Sequence, residues 1–251
     1  MKVFFLGNNW LGWRALAWLR ERGTDVVGLA LHPAARRRYG DEIRTAAALP
    51  DERVFDAARL REPDVQRAIA SLGPNIGLSV LLGYILTPAF LSSFPQGVVN
   101  LHPALLPYNR GAHPNVWSIV ERTPAGATLH WMDSGVDTGD IIAQTRTGVV
   151  VEDTGETLYR KLERDALALL QETWPAIEAG RAPRRRQAGE GTSHRARDLE
   201  QIDEIDLDAR YRARDLLDVL RARTFPPHKG AFFRADGKRV YVRVSLEAES
   251  P

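Results

Sequence analysis

The chain has 251 residues, of which 44% are hydrophobic and 26% charged, with no cysteine and a net charge of +2. This composition suits a globular protein with one sizeable core, or a larger domain with a small appendage. The lack of cysteine excludes disulfides, thiolate metal sites and thiol nucleophiles, and it fits the cytosol. The near-neutral charge gives no indication of a nucleic-acid partner.

The apolar segments are too short for a targeting or membrane-spanning sequence. The run at residues 3–6 is shorter than the core of a signal peptide and favours a buried strand. The longest apolar stretch, residues 80–91, is interrupted by Gly83 and Pro88 and falls short of the ~20 residues that a membrane helix needs. We therefore expect no leader segment, no membrane partner and a cytoplasmic location.

The first half of the chain alternates short apolar runs with amphipathic stretches. Strands are predicted over residues 3–6, 25–31, 76–82 and 98–101, and helices over residues 11–22, 36–48 and 65–72. This alternation predicts an α/β fold, a doubly wound parallel sheet with right-handed connections. Ligands of such sheets bind beyond the carboxyl ends of the strands.

The second half begins with two more predicted strands, residues 127–132 and 141–145, and a long helix over residues 156–177 with Thr154 as its N-cap. A polar, glycine-rich linker follows. After it come a helix over residues 213–223 and a hairpin whose strands, 231–234 and 239–246, flank Asp236-Gly237. The chain is thus predicted to divide into a main domain, residues 1–180, and a linker with a small C-terminal helix-plus-hairpin unit, residues 181–251.

Two polar side chains lie at the end of the fourth predicted strand. Asn100 and His102 are two residues apart, so their side chains point to the same face of the strand, and Pro103 ends regular pairing. Asp137 follows in a glycine-containing loop that can fold back towards a ligand. Each residue by itself is more typical of a turn or a cap. Together, they predict an amide, an imidazole and a carboxylate around one point.

The motifs around these residues resemble the formyltransferase family over roughly residues 1–180. They are Asn-Leu-His-Pro-Ala-Leu-Leu-Pro at 100–107, Arg-Gly-Ala at 110–112 and Gly-Val-Asp-Thr-Gly-Asp-Ile at 135–141. That family includes methionyl-tRNA formyltransferase, glycinamide ribonucleotide transformylase and the sugar N-formyltransferases. The resemblance implies a Rossmann-like catalytic domain, N10-formyltetrahydrofolate as formyl donor, and Asn100, His102 and Asp137 as catalytic residues. No metal is expected, because the histidines lack ligand spacing.

The residue types suit formyl transfer. An uncharged amine attacks the formyl carbon, and Asn100 and a protonated His102 donate hydrogen bonds to the oxygen that gathers negative charge. Asp137 orients His102, holds a water and accepts the proton that the amine loses. The sequence leaves open whether His102 or Asp137 takes this proton directly.

The resemblance also implies a place for the folate. In this family the pterin lies between the segment after the third strand and the loop before the catalytic aspartate, and backbone groups supply most of its contacts. The implied cofactor-binding residues are Leu82, Tyr84, Ile85, Leu86, Asp133 and Gly135. Core packing is the alternative for the three aliphatic side chains.

The tail resembles that of the sugar N-formyltransferases in Thr224-Phe225-Pro226-Pro227 and the hairpin that follows. This implies a nucleotide-linked amino-dideoxy sugar as acceptor and no nucleic acid, since the acidic residues of the tail would repel a phosphate backbone. The implied substrate-binding residues are Trp10, Tyr108, Asn109 and Arg110. For Trp10 the alternative is core packing, and for Arg110 it is a salt bridge rather than a bidentate contact with pyrophosphate.

Three other functions stay open at this stage: a methionyl-tRNA formyltransferase, a formyltetrahydrofolate hydrolase, and a non-catalytic folate or sugar-nucleotide binding module. The apolar residues of the hairpin could either form a homodimer through this hairpin or cover the chain's own core. These residues are Phe232, Phe233, Val240, Val242 and Val244.

Overall fold

The computed structural model describes residues 1–249, which fall into two compact units, each made of separate stretches of chain. The first unit contains Met1–His102, Thr128–Gln144 and Ala166–Gln187. The second contains Pro103–Ala127, Thr145–Asp165 and the chain from Ala188 onward. The predicted division of the sequence at residue 180 stays a prediction.

Short strands and helices alternate through most of the chain. The strands are β1 (Lys2–Gly7), β2 (Asp25–Leu31), β3 (Val54–Asp56), β4 (Ile76–Val80), β5 (Val98–His102), β6 (Arg110–Gly111), β7 (Ala125–Trp131), β8 (Ile141–Thr147), β9 (Ser193–His194), β10 (Phe232–Ala235) and β11 (Lys238–Tyr241). The helices are α1 (Asn9–Glu21), α2 (Gly40–Ala47), α3 (Pro63–Ser71), α4 (Pro88–Ser92), α5 (Pro114–Val120), α6 (Gly155–Glu178), α7 (Glu200–Asp203) and α8 (Ala213–Ala222). Within residues 1–249, none of these helices is long and apolar enough to cross a membrane.

Seven strands form the central sheet in the order β3-β2-β1-β4-β5-β7-β8. β1 pairs in parallel with β2 and β4, and β5 pairs in parallel with β4. The sheet confirms the predicted α/β doubly wound fold. Its strand order reverses between β1 and β4, and such a switch point opens a crevice at the carboxyl ends of the strands.

One strand departs from the all-parallel prediction, since β7 runs antiparallel to β5. Antiparallel additions to otherwise parallel sheets are common. The antiparallel register sets Asn100 opposite His130 and His102 opposite Thr128. Residues of β7 therefore lie beside the polar end of β5.

Each unit has its own apolar core. In the first, one buried cluster combines strand residues such as Phe4 and Leu6 with Ile69 of α3 and Phe90 of α4. The strands β1, β2 and β4 are apolar almost throughout because both faces of a parallel sheet are covered. In the second unit, Trp117 of α5 belongs to a separate cluster.

Two local predictions are confirmed at the ends of elements. Thr157 donates its N–H to Thr154 Oγ1 (3.3 Å), and Thr154 donates its N–H to Thr157 Oγ1 (2.9 Å). This reciprocal pair caps α6, with threonine in the position that a capping box usually gives to glutamate. β10 and β11 form the predicted hairpin, and Asp236 and Gly237 both have positive φ, as a two-residue type I′ turn requires. The second hairpin strand ends at Tyr241, before the predicted end at residue 246.

Candidate active site

Four polar side chains of the first unit meet at the carboxyl end of β5. The antiparallel partner strand adds His130 to the predicted Asn100, His102 and Asp137. Asn100 Nδ2 lies 3.1 Å from His130 Nε2 and 3.3 Å from Asp137 Oδ1. The other carboxylate oxygen, Asp137 Oδ2, lies 3.6 Å from His102 Nδ1. The structure thus brings the three predicted residues together, while their catalytic roles stay a prediction.

His130 fixes the orientation of the Asn100 amide. Its Nδ1 lies 3.0 Å from the carbonyl oxygen of Trp131, and a carbonyl only accepts hydrogen bonds, so we assign the hydrogen to Nδ1. The neutral ring then accepts at Nε2 from the Asn100 amide. This directs the amide nitrogen to His130 and Asp137, and turns the amide oxygen away from them.

His130 was not among the residues predicted for this site. Its signal was weak, because a histidine in an apolar strand resembles any satisfied core residue. His130 is 1% exposed and His102 is 6% exposed, so the rings, the amide and the carboxylate interact with little screening by water. Thr128 and His130 are two residues apart and so share a face of β7. If β7 had been predicted to pair antiparallel with β5, this spacing would have indicated that His130 lies beside Asn100.

The loop that carries Asp137, residues 133–140, is held at its start by Asp133. Asp133 Oδ1 accepts hydrogen bonds from the N–H of Gly135 (3.0 Å) and from Thr138 Oγ1 (2.7 Å). Asp137 itself has a φ of 53°, in the left-handed region. Among residues with a β-carbon this conformation is uncommon, although aspartate tolerates it better than most. At Gly139 a β-carbon would overlap the carbonyl oxygen of Trp131.

The predicted cofactor segment after β4 is divided between core and surface. Leu82 and Leu86 are 2% and 4% exposed and belong to the core cluster of the first unit, whereas Ile85 is 59% exposed. Core packing is therefore the role of the two buried leucine side chains, and only their backbone groups are candidates for ligand contacts. Tyr84 is half-buried and contacts the ring of His32, with the ring centroids 5.0 Å apart. Asp133 and Gly135 are exposed.

His32 joins the end of β2 to this segment and leads to a prediction on pH. Its Nε2 bonds to the carbonyl oxygen of Leu82, and its buried Nδ1 has no hydrogen-bond partner among residues 1–249. Burial, helped by Arg36, lowers the pKa of His32 below the ordinary 6.5, although the Leu82 carbonyl and Asp56 act the other way. The unfolded chain therefore binds this proton more readily than the folded chain.

Stability that depends on neutral His32 should be fully present above the pKa of the unfolded chain and be lost as pH falls through the lower pKa of the folded state. We expect the free energy of unfolding, measured by urea denaturation, to fall less between about pH 7.5 and pH 5 in His32→Leu than in the wild type. The leucine variant should be less stable at neutral pH, because it loses the bond to Leu82. Equal pH slopes for the two proteins would contradict this prediction.

Of the predicted acceptor contacts, Asn109 has a structural role. Its side chain is fully buried, and Nδ2 donates to Ser118 Oγ (2.9 Å) and Thr123 Oγ1 (2.8 Å). The amide is therefore used in holding its own turn, and a contact of Asn109 with a substrate stays a prediction. Tyr108 and Arg110 on either side of it are half-buried. Arg110 lies in β6, which pairs with β9.

Trp10 lies in the first turn of α1 and is half-buried. The turn before it is anchored to two neighbouring segments of the first unit: the N–H of Asn8 donates to the carbonyl of Val80 (3.1 Å), and Asn8 Oδ1 accepts from the N–H of Arg38 (2.8 Å). The structure thus gives Trp10 a fixed place beside the switch point of the sheet. Its contact with a substrate stays a prediction.

Within the part of the chain that the structure describes, no group of three or more histidine and acidic residues could hold a metal ion. The chemistry that the cluster at β5 can supply is that of hydrogen-bond donors and a carboxylate base. Such an arrangement is typical of enzymes that add a nucleophile to a carbonyl group.

Comparison with known proteins identifies the family to which the chain belongs. The Formyl transferase family matches residues 1–173, and the N-formyltransferase dimerization C-terminal domain matches residues 198–248. The chain belongs to the formyltransferase family, as its motifs indicated.

Relatives in this family differ in what they formylate. Methionyl-tRNA formyltransferase from Symbiobacterium thermophilum is 34% identical over an alignment 251 residues long, which covers 96% of this chain and 75% of the relative. The dTDP-4-amino-4,6-dideoxyglucose formyltransferase from Mycobacterium tuberculosis is 34% identical over 191 residues, which cover 75% of this chain and 81% of the relative. A crystal structure of a 4-N formyltransferase from Francisella tularensis matches 99% of this chain and 98% of its own, with a TM-score of 0.85 and 26% identity.

Proposed function

We propose that this protein transfers the formyl group of N10-formyltetrahydrofolate to the amine of a nucleotide-linked amino-dideoxy sugar. The observation that carries the transfer chemistry is the cluster of Asn100, His102, His130 and Asp137 in a chain of the formyltransferase family. The sugar acceptor is supported by the structural likeness to the Francisella 4-N formyltransferase, with a TM-score of 0.85 over 99% of this chain. The relative that acts on dTDP-4-amino-4,6-dideoxyglucose, at 34% identity, supports it as well.

Asp137 is the proposed proton acceptor. An amine that attacks the formyl carbon becomes positively charged in the tetrahedral intermediate and must lose a proton before the folate nitrogen can leave. The Asp137 carboxylate lies within 4 Å of both histidine rings of the cluster. It takes the proton directly or through a water, and attraction to the ammonium form of the intermediate strengthens as the bond forms.

Asn100 and His102 are the proposed electrophilic groups. The formyl oxygen gathers negative charge during attack, and amide and imidazole N–H groups preorganised around it lower the barrier. Both hydrogens of the Asn100 amide now face His130 and Asp137. The bond to Asp137 is the longer of the two, at 3.3 Å against 3.1 Å. We expect the formyl oxygen to take the place of Asp137 at this amide, while His130 keeps the amide in its plane.

The folate is proposed to contact the backbone of the segment after β4 and of the loop that carries Asp137. Exposed Ile85 and Gly135 are the best placed of the predicted residues, while Leu82 and Leu86 offer backbone groups alone. Trp10, Tyr108 and Arg110 stay proposed contacts of the acceptor.

A homodimer is the proposed assembly, and residues 198–248 match a domain described by its dimerization. Several large apolar side chains in this stretch are exposed: Leu207, Tyr211, Leu217 and Val240. By contrast, Phe232 is buried and contacts Tyr241 within its own unit. Phe232 thus packs in the core of its own unit, while Val240 lies on the surface, where the proposed homodimer could use it.

The second candidate function is formylation of methionyl-tRNA. It is favoured by the 34% identity with the Symbiobacterium enzyme over almost the whole chain. A nucleic-acid acceptor would make activity fall steeply with salt, because phosphate contacts release condensed counterions. A sugar nucleotide with few charges would show a much weaker salt dependence.

The test is a direct comparison of acceptors. Purified protein is incubated with N10-formyltetrahydrofolate and a panel of nucleotide-linked 3-amino and 4-amino dideoxy sugars, and with methionyl-tRNA in parallel. Mass spectrometry should detect a formyl mass gain on an amino sugar, and none on the tRNA. The opposite result overturns the sugar acceptor, and formate release without any acceptor identifies a hydrolase. Asp137→Asn protein serves as the control for non-enzymatic formylation.

A further inference from the structure

The segment 183–187 belongs to the region predicted as a polar, glycine-rich linker, and in the structure it is bonded along the ends of β7 and β8. Trp131 Nε1 donates to the carbonyl of Pro183 (3.0 Å), and the Arg184 guanidinium stacks over the Trp131 ring at 4.1 Å. The backbones of Arg185 and Ile141 exchange two hydrogen bonds, of 2.7 and 3.1 Å. The segment thus reaches the Asp137 loop in a fixed path.

Gln187, at the end of this segment, is bonded to the Asp137 loop itself. Its Nε2 donates to the carbonyl oxygen of Asp137 (2.7 Å) and to that of Gly139 (2.9 Å). Both hydrogens of one amide nitrogen are thus used on two carbonyls of the same turn. This is the geometry of a clamp on the backbone on either side of Thr138.

The two hydrogen bonds of Gln187 flank a residue whose backbone conformation is energetically unfavourable. Asp137 is in the left-handed region, which persists only where surrounding contacts determine it. A return of Asp137 to negative φ would swing its carboxylate away from Asn100, His102 and His130. All three lie within 3.6 Å of that carboxylate, so a movement of about 1 Å would break the arrangement.

We infer that Gln187 is a positioning residue, which holds the Asp137 carboxylate in place for proton transfer through the backbone of its loop. The inference rests on the proposed function for the role of Asp137, but the clamp itself is independent of any acceptor. In this role Gln187 acts through the backbone of the loop, by its bonds to the carbonyl oxygens of Asp137 and Gly139.

The experiment compares Gln187→Leu and Gln187→Glu with Gln66→Leu. Gln66 is the matched control, since its Nε2 also donates to a backbone carbonyl of the first unit, that of Leu60 at 2.9 Å. Leucine removes the donors, and glutamate keeps the shape while it presents an acceptor to two carbonyls. We expect kcat to fall about 100-fold in both Gln187 variants, with KM values for donor and acceptor within roughly twofold of the wild type. Gln66→Leu should keep its kcat.

Amide hydrogen exchange of residues 134–139 gives a readout without any substrate. Exchange should become faster in the Gln187 variants and stay unchanged in Gln66→Leu. An unchanged kcat in either Gln187 variant overturns the inference, as does a fall matched by a rise in KM or by general unfolding in thermal melting. If the wild type formylates no acceptor, the proposed function fails, and the exchange data alone decide whether Gln187 holds the loop: unchanged exchange then overturns it.

Discussion

Replacement of Asp137 by asparagine should lower kcat for formyl transfer by about 10³-fold, the scale of a lost general base. Asparagine has nearly the same shape, so the fold and the turn should persist. It cannot accept the amine's proton, however, and an amide at this position would lose the attraction of the carboxylate for His102 at 3.6 Å and for the Asn100 amide at 3.3 Å. The effect is specific to the transition state, so KM should change little.

Steady-state kinetics with the best acceptor from the panel would measure this effect. Asp64→Asn is the matched control, because Asp64 is an exposed carboxylate on α3 and the same substitution there should leave kcat unchanged. Circular dichroism and thermal melting establish that both variants are folded. If the Asp137 variant retained more than about a tenth of the wild-type kcat, Asp137 would not be the proton acceptor.

The central strands could be predicted from sequence because a parallel sheet buries both faces. β1, β2 and β4 are apolar almost throughout, and β5 begins with two valines. The predicted ends of these four strands differ from those observed by at most two residues. α2 begins at Gly40, later than the predicted residue 36, because the N–H groups of Arg36 and Arg37 bond back to Pro33 in a turn. The periodic pattern carries no sign of this turn.

The direction of a strand and the shortest elements have no such local signal. β3 has three residues, and β6 and β9 have two each, which is below the length at which alternation can be recognised. β7 reads as a buried strand in either direction. Its antiparallel orientation, which the sequence did not reveal, is what sets His130 against Asn100.

The sequence could predict those site residues that act through their own polar side chains. Asn100, His102 and Asp137 stood out as polar residues in apolar or glycine-containing surroundings, and the family motif connected them. Gln187 did not stand out, because the groups that it binds are backbone carbonyls, which every residue has. At Asn109 a polar side chain next to a motif suggested a ligand, and nothing in the sequence indicated that its amide bonds to Ser118 and Thr123.

Stability of the second unit should depend heavily on a buried arginine that the sequence places on an ordinary surface helix. Arg221 of α8 is 8% exposed. Its Nε donates to Asp218 Oδ1 (2.7 Å), and its Nη1 donates to the carbonyls of Val150 (3.1 Å) and Asp153 (3.0 Å). A single guanidinium thus joins α8 to the turn that precedes α6, within one unit.

The turn that Arg221 binds has further support from Asp153, which is almost fully buried. Asp153 accepts hydrogen bonds from Lys161 Nζ (2.8 Å), the N–H of Val150 (2.8 Å) and Thr157 Oγ1 (3.0 Å). Burial raises the pKa of Asp153, but these donors together outweigh burial, and the pKa lies below its ordinary value. The carboxylate is therefore charged and held in place, so the turn cannot move to relieve carbonyls that lose Arg221.

We therefore expect Arg221→Met to lower the free energy of unfolding by about 3–5 kcal/mol, the cost of removing one partner from a buried charged pair. Methionine keeps the apolar stem of the side chain, but it leaves the carbonyls of Val150 and Asp153 and one oxygen of the Asp218 carboxylate without this donor. Arg214→Met, at an exposed position of the same helix, should change stability by less than about 0.5 kcal/mol. Urea denaturation at neutral pH measures both values, and a loss below about 1 kcal/mol for Arg221→Met would show that water replaces the guanidinium at these carbonyls.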